Sequence, residues 1–374
     1  MGGRAPDEGG SRLQIAIAHD WLVRYAGSER VAEQLVAEFP GSRLLTTLLE
    51  PGRVPAAFAG AEPSFLQHVP GATRHQEWLL PLMPLAWRSR EPVSGVDAVV
   101  SSSHACAKAV RVAPGIPHLC YCHTPMRYAW DFESEQGRFP RIVRPLARVG
   151  MRGFRRWDRS TAANVTVFVA NSTAVAERIR RYYGRDAAVV HPPVRTDLFT
   201  PRPEERDDFF LFVGRLTGYK QADLVVESFA GLDRELIVVG EGPQRAGLAA
   251  RATPNIRFLG TVDDDRLAEL YRRARALVYP ADEDFGIVMA EAQACGTPVI
   301  AYRRGGAADI VDDGVTGFLI ERQDVDELRR AVARSDSEVL DGATIRASAE
   351  RFSADRFRRE IRQAVEQMVA AAGP

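Results

Sequence analysis

The sequence predicts an α/β protein made of two doubly wound, Rossmann-like domains. Three observations support this fold class. The chain has 374 residues, and a domain commonly holds about 100–200. An apolar strand at Leu13–Ala18 is followed by a glycine-containing turn and a helical run, which is the usual opening of such a domain. Further along, six short apolar runs alternate with helical segments between residues 207 and 345, which indicates a mostly parallel sheet.

The predicted domains cover residues 12–190 and 207–345. The strands expected in the first domain are Leu13–Ala18, Ser42–Leu49, Ala98–Ser102, His118–His123 and Val165–Ala170. The strands expected in the second are Phe209–Val213, Leu236–Val239, Ile256–Leu259, Ala276–Tyr279, Val299–Ala301 and Gly317–Ile320. A proline-stiffened linker is expected from His191 to Asp208, and one long helix over Ile345–Ala371.

Composition is that of an ordinary globular protein, with 45% hydrophobic and 26% charged residues. Residues 1–190 carry 24 Lys+Arg against 17 Asp+Glu, a net +7, and the remainder carries 25 against 32, a net −7. This asymmetry predicts an anionic partner for the first domain. The polar first ten residues do not resemble a signal peptide, and no run reaches the roughly 20 apolar residues of a membrane span. Four cysteines without zinc-site spacing indicate free thiols in a reducing compartment. We expect a cytoplasmic protein, either free or peripheral on the inner face of the plasma membrane.

The stretch Glu283–Glu291 spans a turn between a strand and a helix, and it is the strongest candidate site. Gly286 allows the backbone to pass close to a ligand, and the helix that follows offers unpaired N–H groups and the positive end of its dipole. Such a helix start suits a diphosphate. Glu291 lies further into the helix, where a carboxylate can accept hydrogen bonds from the two hydroxyls of a ribose. Two carboxylates at this spacing are also common at a solvated helix start.

Other glycine motifs accompany this stretch, and they follow apolar runs or flank a helix. They are Gly214–Lys220, Gly240–Pro243, Gly305–Gly306 and Asp313–Leu319. Together the motifs resemble the C-terminal half of the GT-B glycosyltransferases of family 4, a retaining family, over about residues 207–357. The resemblance implies two domains facing across a cleft, with the acceptor bound by the first and the nucleotide sugar by the second. It also implies that residues 346–374 form a helix packing back on the first domain.

The same resemblance assigns roles in the second domain. Arg215 and Lys220 match the residues that bind the diphosphate, Glu283 lies near the donor sugar, and Glu291 lies near the ribose. Backbone N–H groups facing the sugar and phosphate are expected around Phe285, Gly286 and Ile287.

The first domain contains two further candidates. The loop Tyr25–Arg30 resembles the family's first donor loop, with Gly27 and Ser28 where two glycines are common, although a plain strand–helix turn has the same pattern. The segment Cys122–Arg127 resembles one found in bacterial O-antigen and capsule mannosyltransferases. His123 then matches the active-site histidine that contacts the donor sugar, and Arg127 and Tyr128 are candidates for the acceptor. This segment alone favours mannose from GDP-mannose.

A basic amphipathic helix is predicted over residues 138–159, which contain eight arginines. An irregular stretch rich in tryptophan and leucine lies between Pro63 and Pro92. One interpretation is a surface that docks on anionic lipid beside a lipid-linked acceptor. The other is a solvated helix on an apolar core. The sequence has no nucleic-acid module, so RNA is not expected as a partner.

Two D-x-D patterns, Asp263–Asp265 and Asp282–Asp284, raise the question of a metal. The first is explained by a helix N-cap with an acidic first turn, and Arg215 and Lys220 already supply positive charge. We therefore expect no metal site and no cofactor.

The predicted function is a retaining transfer of a hexose to a lipid-linked or polysaccharide acceptor of the cell envelope. The alternatives are a UDP-sugar donor, a sugar-nucleotide epimerase or hydrolase, and a non-catalytic nucleotide-binding scaffold. A dinucleotide-dependent oxidoreductase is disfavoured because the first loop lacks a full G-x-G-x-x-G.

Overall fold

The computed structural model describes residues 13–131, 144–202 and 206–373. They fall into two compact units. The first unit contains residues 13–131, 144–169, 179–188 and 360–373. The second contains residues 170–178, 189–202 and 206–359.

The described part of the first unit contains a six-stranded sheet in the order β2-β1-β3-β4-β5-β6. Its strands are β1 Ile15–His19, β2 Arg43–Thr46, β3 Ala98–Ser103, β4 His118–Cys122, β5 Val167–Ala170 and β6 Ala187–Val189. β1 pairs in parallel with β2 on one side and with β3 on the other. The strand order therefore reverses between β1 and β3. In doubly wound sheets such a switch point leaves a crevice at the carboxyl ends of the strands, where ligands bind.

The described part of the second unit repeats this design in the order β12-β11-β10-β7-β8-β9, with all pairings parallel. Its strands are β7 Phe209–Val213, β8 Glu235–Val239, β9 Ile256–Gly260, β10 Ala276–Tyr279, β11 Val299–Tyr302 and β12 Gly317–Ile320. The chain leaves β7 toward β8 on one side and returns to β10 on the other. The switch point of this sheet therefore lies between β7 and β10.

Helices connect the strands of both sheets. In the first unit and its junctions they are α1 Gly27–Glu38, α2 Met83–Arg88, α3 Arg127–Trp130, α4 Arg144–Ala162 and α5 Thr173–Tyr183. They continue as α6 Ala222–Phe229, α7 Arg245–Ala249, α8 Asp264–Arg273, α9 Ile287–Ala294, α10 Ala307–Ile310, α11 Val325–Ser337, α12 Gly342–Ala349 and α13 Ala354–Ala372.

Each unit has its own apolar core. All five residues of β7, Phe-Phe-Leu-Phe-Val, are buried, as expected for a central parallel strand covered on both faces. The predicted fold class is confirmed, since both units are Rossmann-like sheets flanked by helices. Two details differ from the sequence-based expectation.

The first difference is an additional edge strand, β6, where no strand was predicted. It has only three residues, of which the last two are exposed, so it lacks the run of buried apolar residues by which the other strands were predicted. The second difference is that the predicted final helix is two helices. The chain turns at Glu350–Phe352, and Ser353 is extended, with a ψ of 151°, before α13 begins. At the far end of α13, Arg362 bonds the side chain and carbonyl of Glu38 within the first unit.

Candidate functional site

In the second unit the segments that carry Lys220 and Glu283 leave the sheet at the switch point. Val213 ends β7, and the chain then forms a turn and a short 3-10 helix that ends at Lys220. Tyr279 ends β10, and the following loop contains Glu283. Because β7 and β10 are neighbours in the sheet, both segments leave the same edge side by side.

The structure brings Lys220 and Glu283 together, with Tyr279 beside them. The lysine Nζ pairs with the glutamate carboxylate and lies 2.6 Å from the Tyr279 hydroxyl, which itself lies 3.3 Å from Glu283 Oε1. Both charged side chains are 15% exposed. Burial alone lowers the pKa of Lys220, but the Glu283 carboxylate raises it, and the net pKa is above the ordinary value. Lys220 is therefore a fixed cation at the carboxyl ends of the strands of the second sheet.

Glycines allow the loops of this site to pack backbone against backbone. A Cβ on Gly240 would lie 2.0 Å from the Gly214 carbonyl oxygen, and one on Gly306 would lie 2.2 Å from the Phe285 carbonyl oxygen. The Gly306 N–H donates to the Glu283 carbonyl oxygen at 2.9 Å. The glycine motifs thus fix the loops that carry the charged residues. Real Cβ atoms do not approach other atoms so closely, so larger residues would displace these loops.

Helix α9 starts where the sequence predicted a helix N-terminus. Gly286 adopts a left-handed conformation, φ 86° and ψ 61°, and is the N-cap before Ile287. This conformation favours glycine because it has no Cβ. The first N–H groups of α9 point out of the helix, and the positive end of its dipole suits an anion. Phe285 contributes backbone only, since its ring is buried and stacked on His191 with centroids 5.5 Å apart.

Two other predicted donor residues, Glu291 and Arg215, differ in their burial. Glu291 is 3% exposed, and its Oε2 accepts a hydrogen bond from the Tyr271 hydroxyl at 3.2 Å. Arg215 follows β7 and is exposed, and no described residue bonds its guanidinium. Glu291 is therefore buried and hydrogen-bonded, whereas the guanidinium of Arg215 is accessible to a ligand.

Residues that the sequence analysis did not assign to the site hold the 282–286 loop. Ser172 precedes α5, and its Oγ accepts the Val175 N–H at 3.2 Å, as an N-cap side chain does. The same hydroxyl donates to the Asp284 carbonyl oxygen, and Arg178 pairs with the Asp284 carboxylate. His191, predicted in a linker, packs on Phe285. The local N-cap pattern was visible in the sequence, but its contact with a loop 112 residues later was not.

In the first unit polar residues gather at the switch point between β1 and β3. His19 ends β1, Ser102 and Ser103 end β3, and His123 follows β4. Ser102 Oγ lies 3.1 Å from His19 Nδ1 and 2.8 Å from His123 Nε2. The ring of His104 lies 6.1 Å from that of His123. The predicted active-site histidine therefore belongs to a cluster of three histidines.

Asp20, which follows β1, organises the loop after β3. Its buried carboxylate accepts backbone N–H groups from four successive residues, His104 to Ala107, at 2.5–2.9 Å. Its Oδ2 also lies 3.1 Å from His104 Nδ1. Sequence reasoning did not identify Asp20, because a single aspartate after a strand gives no signal of which loop it will hold.

Burial keeps two of the clustered histidines neutral. It lowers the pKa of His123 well below the ordinary value, and the nearby His104 and His19 act in the same direction. It also lowers the pKa of His104, although the Asp20 carboxylate opposes the change. At neutral pH both imidazoles are therefore hydrogen-bonding groups without charge.

The remaining candidates of the first unit lie at the starts of helices α1 and α3. Gly27 begins α1 and is exposed, and no heavy atom would come within 4 Å of a Cβ there. Ser28 Oγ donates to Glu29 at 3.0 Å. Arg127 begins α3 and is half-buried, whereas the side chain of Tyr128 lies outside the described residues. The Trp130 indole N–H donates to the buried Asp158 carboxylate at 2.6 Å, which ties α3 to α4.

The first D-x-D pattern is a helix cap, as predicted, because Asp263 accepts the Arg266 N–H at 2.8 Å and α8 follows. In the second pattern Asp284 pairs with Arg178. Within residues 13–131, 144–202 and 206–373, no group of three or more His, Cys, Asp or Glu side chains is arranged to hold a metal ion.

The predicted basic helix is α4 in part, since residues 138–143 lie outside the described residues. Among the side chains described for α4, Arg152, Arg156 and Arg159 are exposed. Of the helices that the structure describes, none combines the length and apolar character needed to cross a membrane.

Comparison with known proteins gives matches over most of the chain. A D-inositol 3-phosphate glycosyltransferase of Mycolicibacterium smegmatis is 34% identical over 210 residues, 49% of this chain and 48% of that protein. One from Streptomyces griseus is 33% identical over 213 residues, 44% of this chain and 45% of that protein. The chain thus spans about half the length of the curated relatives it matches.

Solved structures resemble the whole chain. The Anabaena protein HepE, in complex with UDP and glucose, has a TM-score of 0.68 and 17% identity, covering 95% of this chain and 99% of that one. Sucrose-phosphate synthase from Thermosynechococcus elongatus has a TM-score of 0.67 and 20% identity, covering 96% and 100%. At these identities the likeness shows the fold alone.

Two family models match consecutive parts of the sequence. The model described as "Glycosyltransferase Family 4" matches residues 25–198, and the one described as "Glycosyl transferases group 1" matches residues 194–337. Together with the two switch-point sheets, these matches show that the chain belongs to family 4 of the GT-B glycosyltransferases.

Proposed function

We propose that the protein is a retaining glycosyltransferase that moves a hexose from a nucleotide sugar to a lipid-linked or polysaccharide acceptor. The observation that carries the proposal is that Lys220, held by Glu283, follows β7 while the N-terminus of α9 follows the neighbouring strand β10, on the two sides of the switch point of the second sheet. A departing nucleoside diphosphate gains negative charge, and pre-arranged cations and N–H groups stabilise that charge. Relatives that match half the chain are named glycosyltransferases.

In this proposal the second unit binds the donor. Lys220 and the exposed Arg215 hold the diphosphate, with the backbone of Phe285, Gly286 and Ile287. Glu283 faces the sugar, and Glu291 accepts the ribose hydroxyls after its contact with Tyr271 adjusts. The bond between the sugar's anomeric carbon and the diphosphate oxygen breaks, and a bond to the acceptor oxygen forms on the same face. The acceptor's proton goes to the diphosphate.

The first unit supplies His123 to the donor sugar, with Gly27 and Ser28 near the donor and Arg127 and Tyr128 near the acceptor. In support, Gly27 lies at an exposed helix start with open space around it, where a backbone N–H is accessible to a ligand. The neutral His123 suits a contact with sugar hydroxyls rather than with phosphate.

For the donor we propose GDP-mannose, because of the Cys122–Arg127 segment. The alternative is a UDP-sugar, since HepE was solved with UDP-glucose. Thermal-shift measurements with GDP, GDP-mannose, UDP and UDP-glucose separate the two. A ligand at about 100 times its Kd adds about 2.7 kcal/mol of stability. Stabilisation by the guanine pair supports GDP-mannose, stabilisation by the uracil pair replaces it, and no response to either pair contradicts donor binding.

We propose that transfer needs no metal, because Lys220 and Arg215 supply the positive charge. Turnover of the donor with and without a chelator tests this. Activity that a chelator abolishes and Mg²⁺ or Mn²⁺ restores would contradict it. A donor-only control distinguishes transfer from hydrolysis or epimerisation, because those reactions need no acceptor.

We further propose that the protein works at the cytoplasmic face of the plasma membrane, docking on anionic lipid. In the first unit the turn Gln76–Leu82 and the helix α2 that follows it carry apolar side chains on their outer face: Trp78 is 82% exposed, Leu85 54% and Leu82 44%. The exposed arginines of α4 add about 1 kcal/mol each near an anionic surface. Binding to phosphatidylglycerol vesicles that weakens with salt supports docking. No binding, or equal binding to phosphatidylcholine vesicles, contradicts it.

A further inference from the structure

Three buried side chains connect His123 to the start of α1. The carboxylate of Glu29 lies 3.9 Å from His19 Nε2, measured from Oε1. His19 Nδ1 lies 3.1 Å from Ser102 Oγ, and Ser102 Oγ lies 2.8 Å from His123 Nε2. Glu29, His19 and Ser102 are all buried. The series Glu29–His19–Ser102–His123 therefore runs from the Gly27–Ser28 loop to the predicted sugar-contacting histidine without passing through solvent.

Glu29 holds a negative charge at one end of the series. Its Oε2 accepts the Ala26 N–H at 3.1 Å and the Ser28 hydroxyl at 3.0 Å. Burial alone raises the pKa of Glu29, but His19 and the backbone bond lower it, and the net pKa is below the ordinary value. At 3.9 Å the carboxylate is beyond a direct hydrogen bond to His19, yet its charge favours a proton on the facing nitrogen, Nε2.

The proton on His19 Nε2 determines the direction of the two bonds that follow. A neutral imidazole has one donor and one acceptor nitrogen, and a serine hydroxyl has a single proton. His19 Nδ1 is then an acceptor and takes the Ser102 hydroxyl proton. The Ser102 oxygen must in turn accept from His123, so His123 carries its proton on Nε2. Its Nδ1 has no hydrogen-bond partner among the described residues and is left as an acceptor.

We propose that Glu29, His19 and Ser102 are positioning residues that hold His123 as the Nε2–H tautomer, with Nδ1 presented as a hydrogen-bond acceptor to a hydroxyl of the donor sugar. The identity of that ligand rests on the proposed function. The opposite polarity needs a proton on His19 Nδ1, either in the neutral tautomer whose proton faces away from the Glu29 charge or in an imidazolium with both nitrogens protonated; both would place the His123 proton on Nδ1. Other titratable groups near the series include Tyr121, whose ring lies 5.2 Å from that of His123, and His104, whose ring lies 6.2 Å from that of His19. Asp20 faces His104.

Tautomers are read from the nitrogen shifts of the imidazoles, by long-range ¹⁵N–¹H correlation NMR of histidine-labelled protein at neutral pH. The chain has seven histidines, and the His123→Gln variant identifies the signal of His123. In the unliganded wild type we expect a protonated Nε2 and an unprotonated Nδ1 on His123. A His123 with its proton on Nδ1 would overturn the proposal.

Ser102→Ala removes the bridge, and we expect His123 to become a mixture of tautomers. Ser101→Ala is a matched control, because Ser101 is next to it in β3 and its Oγ lies 2.7 Å from Nε2 of another buried histidine, His118. The control variant should leave the His123 signal unchanged. An unchanged His123 in Ser102→Ala, or an equal change in both variants, would refute the role of Ser102.

Kinetics give the second readout. Ser102→Ala should lower kcat for sugar transfer about tenfold, equivalent to about 1.4 kcal/mol, with a smaller change in KM. Ser101→Ala should keep the wild-type kcat. The NMR measurement needs no substrate. A failure to bind any nucleotide sugar would therefore contradict the proposed function and leave the tautomer result standing. A mixed tautomer with a wild-type kcat contradicts the positioning role alone.

Discussion

Replacing Lys220 with methionine tests whether its pair with Glu283 holds the site of the second unit. Lys220 contacts the Glu283 carboxylate and lies 2.6 Å from the Tyr279 hydroxyl, and both charged side chains are 15% exposed. The variant leaves the Glu283 carboxylate in place. Its remaining described polar contact is then the Tyr279 hydroxyl, at 3.3 Å. A nearly enclosed charge would then have lost its counter-charge.

The expected loss follows from the burial. Removing one partner of a buried ion pair costs about 3–5 kcal/mol, and an exposed pair contributes about 0–1 kcal/mol. At 15% exposure this pair is closer to the buried limit, so the free energy of unfolding should fall by about 2–3 kcal/mol. Adding Glu283→Gln removes the unpaired charge and should restore at least about 1 kcal/mol.

The stabilisation by Lys220 depends on pH. The pKa of Lys220 is raised in the folded protein. Its contribution to stability is then fully present below the unfolded-state pKa of about 10.4 and is lost only as the pH rises through the higher folded value. The effect of Lys220→Met should therefore be constant between about pH 6 and pH 9.

Urea unfolding followed by circular dichroism measures the loss, and hydrogen exchange of β7 and β10 locates it in the second unit. Arg257→Met is the matched control in this unit, since Arg257 and Glu235 are 60% and 37% exposed. The control should stay within about 0.5 kcal/mol of the wild type. A loss below about 0.5 kcal/mol for Lys220→Met, or a double variant less stable than the single one, would refute the reasoning.

Three further variants test other parts of the account. Gly306→Ala should lower the free energy of unfolding in urea by more than about 2 kcal/mol, since its Cβ would lie 2.2 Å from the Phe285 carbonyl oxygen. Gly27→Ala should be nearly neutral, and similar losses in both variants would contradict this role of close packing. Asp20→Asn should cost about 3 kcal/mol, because the amide cannot accept four N–H groups, and an unchanged thermal midpoint by tryptophan fluorescence would count against this. Trp78→Ser should weaken binding to phosphatidylglycerol vesicles severalfold, and unaltered binding would exclude this residue from docking.

The sequence was sufficient for the elements whose signal is local. Central strands such as β7 are continuous apolar runs bounded by glycine, and all six strands predicted for the second domain are present. The helix start at Gly286 and the cap at Asp263 were also predicted, because both depend on residues within one turn. The break before α13 was missed, since the turn at Glu350–Phe352 contains no proline or glycine.

The contacts that organise the site were not predictable, because they join residues far apart in the chain. Ser102 and His19 are 83 residues apart, and Lys220 and Tyr279 are 59 apart. Which strands become neighbours decides these contacts, and apolar patterning does not encode the order of strands in a sheet. The roles suggested for Arg215 and Glu291 stay predictions, since both depend on contacts with a bound donor.

The central claim is that the second unit recognises a nucleoside diphosphate through its phosphates. The most direct test is isothermal titration calorimetry, in which GDP, UDP, guanosine and uridine are each titrated into the protein. The same four titrations with Lys220→Met give the comparison. The account predicts that one nucleoside diphosphate binds at least about 100 times more tightly than its nucleoside, equivalent to about 2.7 kcal/mol, and that Lys220→Met removes most of this difference. Equal affinities for diphosphate and nucleoside, or a difference that Lys220→Met leaves intact, would contradict the account.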